Sequence, residues 1–109
     1  MEIERGDIWF AELSQGSSVQ TEDRPVLVIQ NDIGNRYSPN VIVIPITSQI
    51  KETNMPTHVL YKLENKRWCM ILAEQICTIS KEQLQFKIEK LNEYDMKNVD
   101  DAIKASLGL

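Results

Sequence analysis

The chain has 109 residues, 42% of them apolar and 26% charged, and a net charge of −4. That is the size and make-up of one globular domain, residues 1–109, and it excludes disordered, collagenous and coiled-coil classes. No apolar stretch approaches the ~20 residues of a membrane helix, and the opening Met1-Glu2-Ile3-Glu4-Arg5-Gly6-Asp7 is too acidic for a signal peptide. A cytoplasmic protein with no membrane association is therefore expected.

The elements read mostly as strands. Asp7–Leu13 opens the series, and the polar stretch Ser14–Asp23 that follows is loop by composition. Pro25–Gln30 and Val41–Thr47 are β-branched runs apolar on both faces, as in central strands buried on both sides. Between them Asp32–Asn40 reads as a turn-rich connection. Pro45 removes a ladder donor from its run, which predicts an edge position or a bulge that re-aims Thr47 and Ser48. Shorter strands are expected at His58–Leu60, Met70–Ala73, Gln75–Ile79 and Phe86–Leu91.

The C-terminus reads as a helix. Asn92 is placed to cap it with Asp95 at the third helical position, and Leu91 and Met96 to form a hydrophobic staple. Met96, Val99, Ile103 and Leu107 mark a buried stripe, and Gly108 ends the helix. A mostly β chain with one terminal helix predicts a small barrel-like sheet with the helix packed on it.

Charge is unevenly spread. Residues 1–23 hold six acids and one base, residues 24–80 six bases and four acids, and residues 81–109 five bases and six acids. An acidic protein can thus carry a basic patch from its middle segment. Cys69, Cys77 and the single His58 supply no zinc-ligand set and no CxxC pair, so no metal or cofactor is expected, and two reduced, mostly buried thiols are favoured over a disulfide. There is no Gly-rich phosphate loop, no HExxH and no GxSxG.

Any chemistry must therefore rest on Arg, Thr, Ser, Glu or backbone groups. Arg24 sits where the polar loop meets a buried strand, and a guanidinium there can grip a phosphate in a fork. Pairing with Glu22 or Asp23 is the plainer alternative. Thr47 and Ser48 end the second buried strand, where hydroxyls either donate to a phosphate oxygen or finish a turn. Glu74-Gln75 interrupts an apolar run, so its side chains are either buried and satisfied or face a groove, where they can read base edges. His58 is a general acid or base, a stacking ring, or a structural histidine. Trp9, Phe10 and Trp68 read as core, with Trp68 beside Lys66-Arg67 a candidate for an exposed stacking platform.

Several of these segments together resemble one family. Arg5-Gly6-Asp7-Ile8-Trp9, Arg24-Pro25-Val26-Leu27-Val28-Ile29-Gln30-Asn31-Asp32 and Asn35-Arg36-Tyr37-Ser38-Pro39 are similar to the MazF/PemK-like toxin ribonucleases. So are the Val41–Ser48 strand, Pro56-Thr57-His58-Val59, Glu74-Gln75-Ile76 and Ser106-Leu107-Gly108-Leu109, all in the family's order. The resemblance implies an SH3-like β-barrel of the CcdB/MazF-like fold with a C-terminal helix, assembled as a homodimer. It implies a toxin that cuts single-stranded RNA at short sequences without a metal and is neutralised by a MazE-like antitoxin with an extended acidic tail. It assigns catalysis to Arg24 and Thr47, and substrate contacts to Ser18, Gln20, Ser48, His58, Glu74 and Gln75. The chain departs from the family's pattern in two regions. In the polar loop Val19 stands at an acidic position and Thr21-Glu22 replaces a pair of glycines, and further on Cys77 stands where many relatives place arginine, after a shorter Tyr61–Trp68 segment.

RNA supplies its own nucleophile in the 2′-OH, so such a site must hold that oxygen in line with the phosphorus and stabilise phosphate charge. A same-fold toxin that poisons DNA gyrase by binding alone is the rival reading. The absence of a tryptophan after Trp68 disfavours it. An inactive relative that only binds RNA or antitoxin is the third.

Overall fold

The computed structural model describes residues 2–13 and 22–109. Seven strands carry the chain: β1 Asp7–Ala11, β2 Arg24–Val28, β3 Asn40–Thr47, β4 His58–Lys62, β5 Trp68–Leu72, β6 Cys77–Ser80 and β7 Leu84–Lys90. Two helices are added, α1 Asp32–Tyr37 and α2 Glu93–Leu107. The strands pair antiparallel in the order β4-β5-β3-β2-β1-β7, and β6 also pairs with β3. The sheet is barrel-like but not closed among the described residues, with β4 and β7 at its ends.

The strand pleat sorts the apolar residues into two cores. Trp9, Ala11, Val26, Val28, Val41 and Val43 face one side, with Leu13, Ile79 and Leu84. Ile8, Leu27, Ile44 and Ile46 face the other, where Val99 and Ala102 of α2 cover them. The doubly apolar runs of β2 and β3 follow from this, since successive side chains point to opposite faces and both faces are covered.

Pro45 corrects the expectation drawn from it. It is buried in the central strand β3, opposite Val26, with no bulge in that ladder. Ile29 N donates to Ile42 O, so the even-numbered backbone groups of β3 face β2 and the nitrogen of Pro45 faces the other edge. That edge is shared: β6 pairs with Asn40 to Val43, and β5 takes over at Ile46 and Thr47. Pro45 therefore lies at the change of partners, where no ladder bond is asked of it.

A second correction concerns residues 32–40. The expected turn contains α1, capped by Asn31, whose side chain accepts from Gly34 N at 2.8 Å. The buried Asn35 donates to Gln30 O at 2.9 Å, and the Gln30 side chain packs so close to Gly34 that a Cβ there would meet it at 2.9 Å. Glu74-Gln75 likewise lies in a single 3-10 turn, Ala73–Gln75, between β5 and β6.

Helix α2 begins as expected, with Asn92 accepting from Asp95 N at 2.8 Å, and ends at Gly108 in the left-handed region. Leu91 and Met96 lie in the same core as Val99 and Ile103. The buried stripe runs through Ala102 rather than on to Leu107, which is 58% exposed.

Candidate active site

The β2–β3 ladder builds the centre of the site. Val28, Leu27 and Val26 pair with Val43, Ile44 and Pro45. Continued by two residues, this register sets Arg24 opposite Thr47, and the pleat gives both the same face. Directly opposed residues in an antiparallel pair have Cβ atoms about 4.5–5.5 Å apart. The first residue of one buried strand and the last of its neighbour thus become side-by-side groups at the rim of the sheet.

Both open on a groove of about 590 Å³, which Ser48, Gln49, Asn65, Arg67, Trp68 and Ile88 also line. The Arg24 side chain is 20% exposed, and its Nη2 donates to Glu22 Oε2 at 2.9 Å. The plainer pairing anticipated for Arg24 is present, yet it engages only part of the guanidinium. Arg24 Nε is buried and has no hydrogen-bond partner. A buried unpaired donor on a cation is costly unless an acceptor reaches it, and Glu22, 78% exposed, is a partner that can swing into water. The Thr47 hydroxyl accepts from Gln49 N at 3.1 Å, which orients it at the strand end and leaves its own proton to be donated.

A second depression of about 270 Å³ adjoins the first, and Thr47 and Gln49 line both. Here lie His58, Glu74 and Gln75. His58 Nε2 donates to Glu74 Oε2 at 2.9 Å, while Nδ1 donates to the carbonyls of Glu52 at 3.0 Å and Lys51 at 3.2 Å. Carbonyls only accept, so this environment favours the doubly protonated ring. The hydrogen bond to Glu74 accordingly raises the pKa of His58 above its usual value. Burial pulls the Glu74 carboxyl upward, but the bond from His58 and its neighbours outweighs it and leaves the pKa lowered. With both ring nitrogens engaged, His58 ties the 48–57 loop to the Glu74 turn.

Of the residues singled out in the sequence, Arg24, Thr47, Ser48, His58, Glu74 and Gln75 therefore meet along two joined depressions. Ser18 and Gln20 lie outside the described residues. Asn65 and Arg67 were not singled out as site residues, and Gln49 not at all. Gln49 reaches the groove by following close after Thr47, its N donating to the Thr47 hydroxyl. Asn65 and Arg67 reach it because the β4–β5 hairpin folds back, with Leu63 N bonded to Arg67 O and Lys66 in the left-handed region. Cys69 and Cys77 are free thiols, and burial raises the pKa of both, that of Cys69 to about 11. Neither is a poised nucleophile. Cys77 packs against the first core.

Known proteins share the sequence and fold of this chain. Residues 4–107 match the family described as PemK-like, MazF-like toxin of type II toxin-antitoxin system. Endoribonuclease EndoA of Bacillus subtilis is 49% identical, over all of this chain and 97% of its own. In fold, an endoribonuclease from a mycobacterial species, solved with its cognate antitoxin, superposes with a TM-score of 0.83 at 22% identity, covering 98% of this chain and 96% of that one. MazF from Deinococcus radiodurans superposes with a TM-score of 0.82 at 18% identity, covering 100% and 99%. The chain belongs to the PemK-like, MazF-like toxin family of type II toxin–antitoxin systems.

Proposed function

We propose that this toxin is a metal-independent endoribonuclease that cuts single-stranded RNA, such as mRNA, at short sequences. The observation that carries the reading is that Arg24 and Thr47, at the facing ends of neighbouring strands, line one open groove. In the reaction a bond forms from the 2′-oxygen to phosphorus and the bond to the 5′-oxygen breaks. The 2′-OH loses a proton and the leaving oxygen gains one, giving 2′,3′-cyclic phosphate and 5′-OH ends.

Arg24 stays protonated at any working pH, which suits it to stabilising charge on the phosphate oxygens rather than to moving protons. An RNA phosphate displaces Glu22 and supplies the acceptor that Arg24 Nε lacks. Thr47 donates its hydroxyl to the same group and fixes the in-line geometry. Ser48, Glu74 and Gln75 hold flanking nucleotides, as Ser18 and Gln20 do from the polar loop. The engagement of both His58 nitrogens supports a positioning role for that ring.

Because the nucleophile belongs to the RNA, no activated water is required. The test is cleavage of a long mixed-sequence RNA in EDTA by wild type and Arg24→Ala, with fragment ends mapped. Discrete cuts with 5′-OH ends are expected from wild type, reduced at least about 10²–10³-fold in the variant. A 2′-deoxy nucleotide at the cut should block the reaction, and cutting there would mean that water attacks instead. Absence of cuts by folded wild type would return the protein to the gyrase-binding or inactive readings.

The partners that fit this reading are a second copy of the chain and a MazE-like antitoxin whose acidic tail occupies the basic side of the groove. No helix among the described residues is long and apolar enough to cross a membrane. A substrate such as mRNA supports a cytoplasmic site of action.

A further inference from the structure

Trp68 is the large aromatic side chain of the groove that carries Arg24 and Thr47, and it is 53% exposed. Exposing an indole to this extent forgoes hydrophobic stabilisation, and the other tryptophan, Trp9, is 6% exposed in the core. Trp68 opens β5 opposite Lys62, whose ammonium lies over the ring at 5.8 Å from its centroid. Arg67 precedes it and lines the same groove. The surface is thus an exposed indole with one cation, Lys62, over one of its faces and a second, Arg67, beside it in the groove that holds the residues assigned to the scissile phosphate.

The platform is held firmly. Lys62 and Trp68 close a hairpin in which Lys66 N donates to Leu63 O and Arg67 N to Asn65 Oδ1, both at 2.9 Å. From below, the buried Glu89 of β7 accepts from Glu64 N at 3.0 Å and ties the hairpin tip to the far end of the sheet. A ring on a fixed mount loses little freedom when a flat ligand stacks on it.

We infer that Trp68, flanked by Arg67 and Lys62, is a base-stacking subsite that takes one unpaired nucleobase adjacent to the scissile phosphate. Every base has a π face, so stacking supplies affinity and anchors the register of the strand, while the cations hold the neighbouring phosphate. This rests on the ribonuclease reading and adds to it a residue that positions the substrate rather than one that acts on the reacting atoms.

The experiment pairs Trp68→Ala and Trp68→Phe with a cleavable RNA containing the mapped cut site. A second series of the same RNA carries a 2′-deoxy cut nucleotide and one abasic position at a time. Alanine should weaken binding of the uncleavable RNA by about 5- to 150-fold, the range of one stacked base, and raise KM more than it lowers kcat. Phenylalanine should restore most of the loss. At one flanking nucleotide, abasic substitution should cost the wild type but not Trp68→Ala. Additive losses at every position, or unchanged binding by Trp68→Ala, would overturn the subsite. So would loss of the dimer on sedimentation of Trp68→Ala, which would place the indole in the subunit interface. Failure of wild type to cleave would instead overturn the ribonuclease reading, and the binding series is read separately from cleavage.

Discussion

His58 is the chain's single histidine, so one imidazole resonance reports the state of the clamp beside Thr47. Its pKa in the folded protein lies above the ordinary 6.5, chiefly because of Glu74. The stability it confers is therefore complete below about pH 6.5 and is lost as pH rises through the folded value. Glu74 has the opposite sign. Its lowered pKa confers stability that is present above its ordinary 4.5 and lost as pH falls through the folded value. The pair thus holds the 48–57 loop best between these limits. An NMR titration should find the His58 pKa above 6.5 and see it fall in Glu74→Gln. Thermal unfolding of that variant should differ most from wild type at mildly acidic pH and converge with it above the titration of His58. An unmoved histidine would mean that the backbone carbonyls of Lys51 and Glu52 set its state.

At the scale of elements, the N-terminal segment is fastened by Arg5, which bonds to Ile29 O, Asp32 and Asp100, and by the glycine that follows it. Gly6 has φ +96, donates to Val28 O at 2.8 Å and accepts from Leu91 N at 3.0 Å, so it joins β2 to the start of α2. A Cβ there would meet Met96 at an ordinary 3.5 Å, which leaves the backbone conformation as the obstacle. Gly6→Ala should destabilise the fold by about 1–2 kcal/mol in denaturant unfolding without altering RNA ends. The strands around this joint are legible in the sequence because β-branched runs such as Val26-Leu27-Val28 report a doubly covered sheet directly. α1 is not legible. It has six residues, a glycine inside and no apolar stripe, and it is held by side-chain bonds among Gln30, Asn31 and Asn35 that periodicity does not register. The same limit applies to the site. Arg24 and Thr47 stand out by type and by resemblance, but Asn65 and Arg67 join them only through the return of the β4–β5 hairpin, a tertiary event.

For the whole molecule, net charge and local charge point in different directions. A chain at −4 meets an anionic polymer, so binding must depend on a few well-placed cations rather than on the overall field. RNA affinity should fall with added salt, with a slope of about −0.7 per phosphate neutralised on a single strand. Arg67→Ala should shallow that slope by about 0.7 while leaving the cut position unchanged. A slope unaffected by this change would mean that Arg67 meets no phosphate. The antitoxin complex should weaken with salt in the same way, because an acidic tail competes for the same cations.

The register that sets Arg24 against Thr47 also determines which genetic lesions the toxin withstands. Alternation along β3 sends Val43 to one core and Ile44 to the other, so a single residue inserted between Ile46 and Thr47 would turn the hydroxyl to the opposite face while the residues before it stayed packed. Loss of toxicity without loss of fold is thus open to a small frame-preserving insertion at the end of this strand, and the long connections on either side can change length without moving the pair.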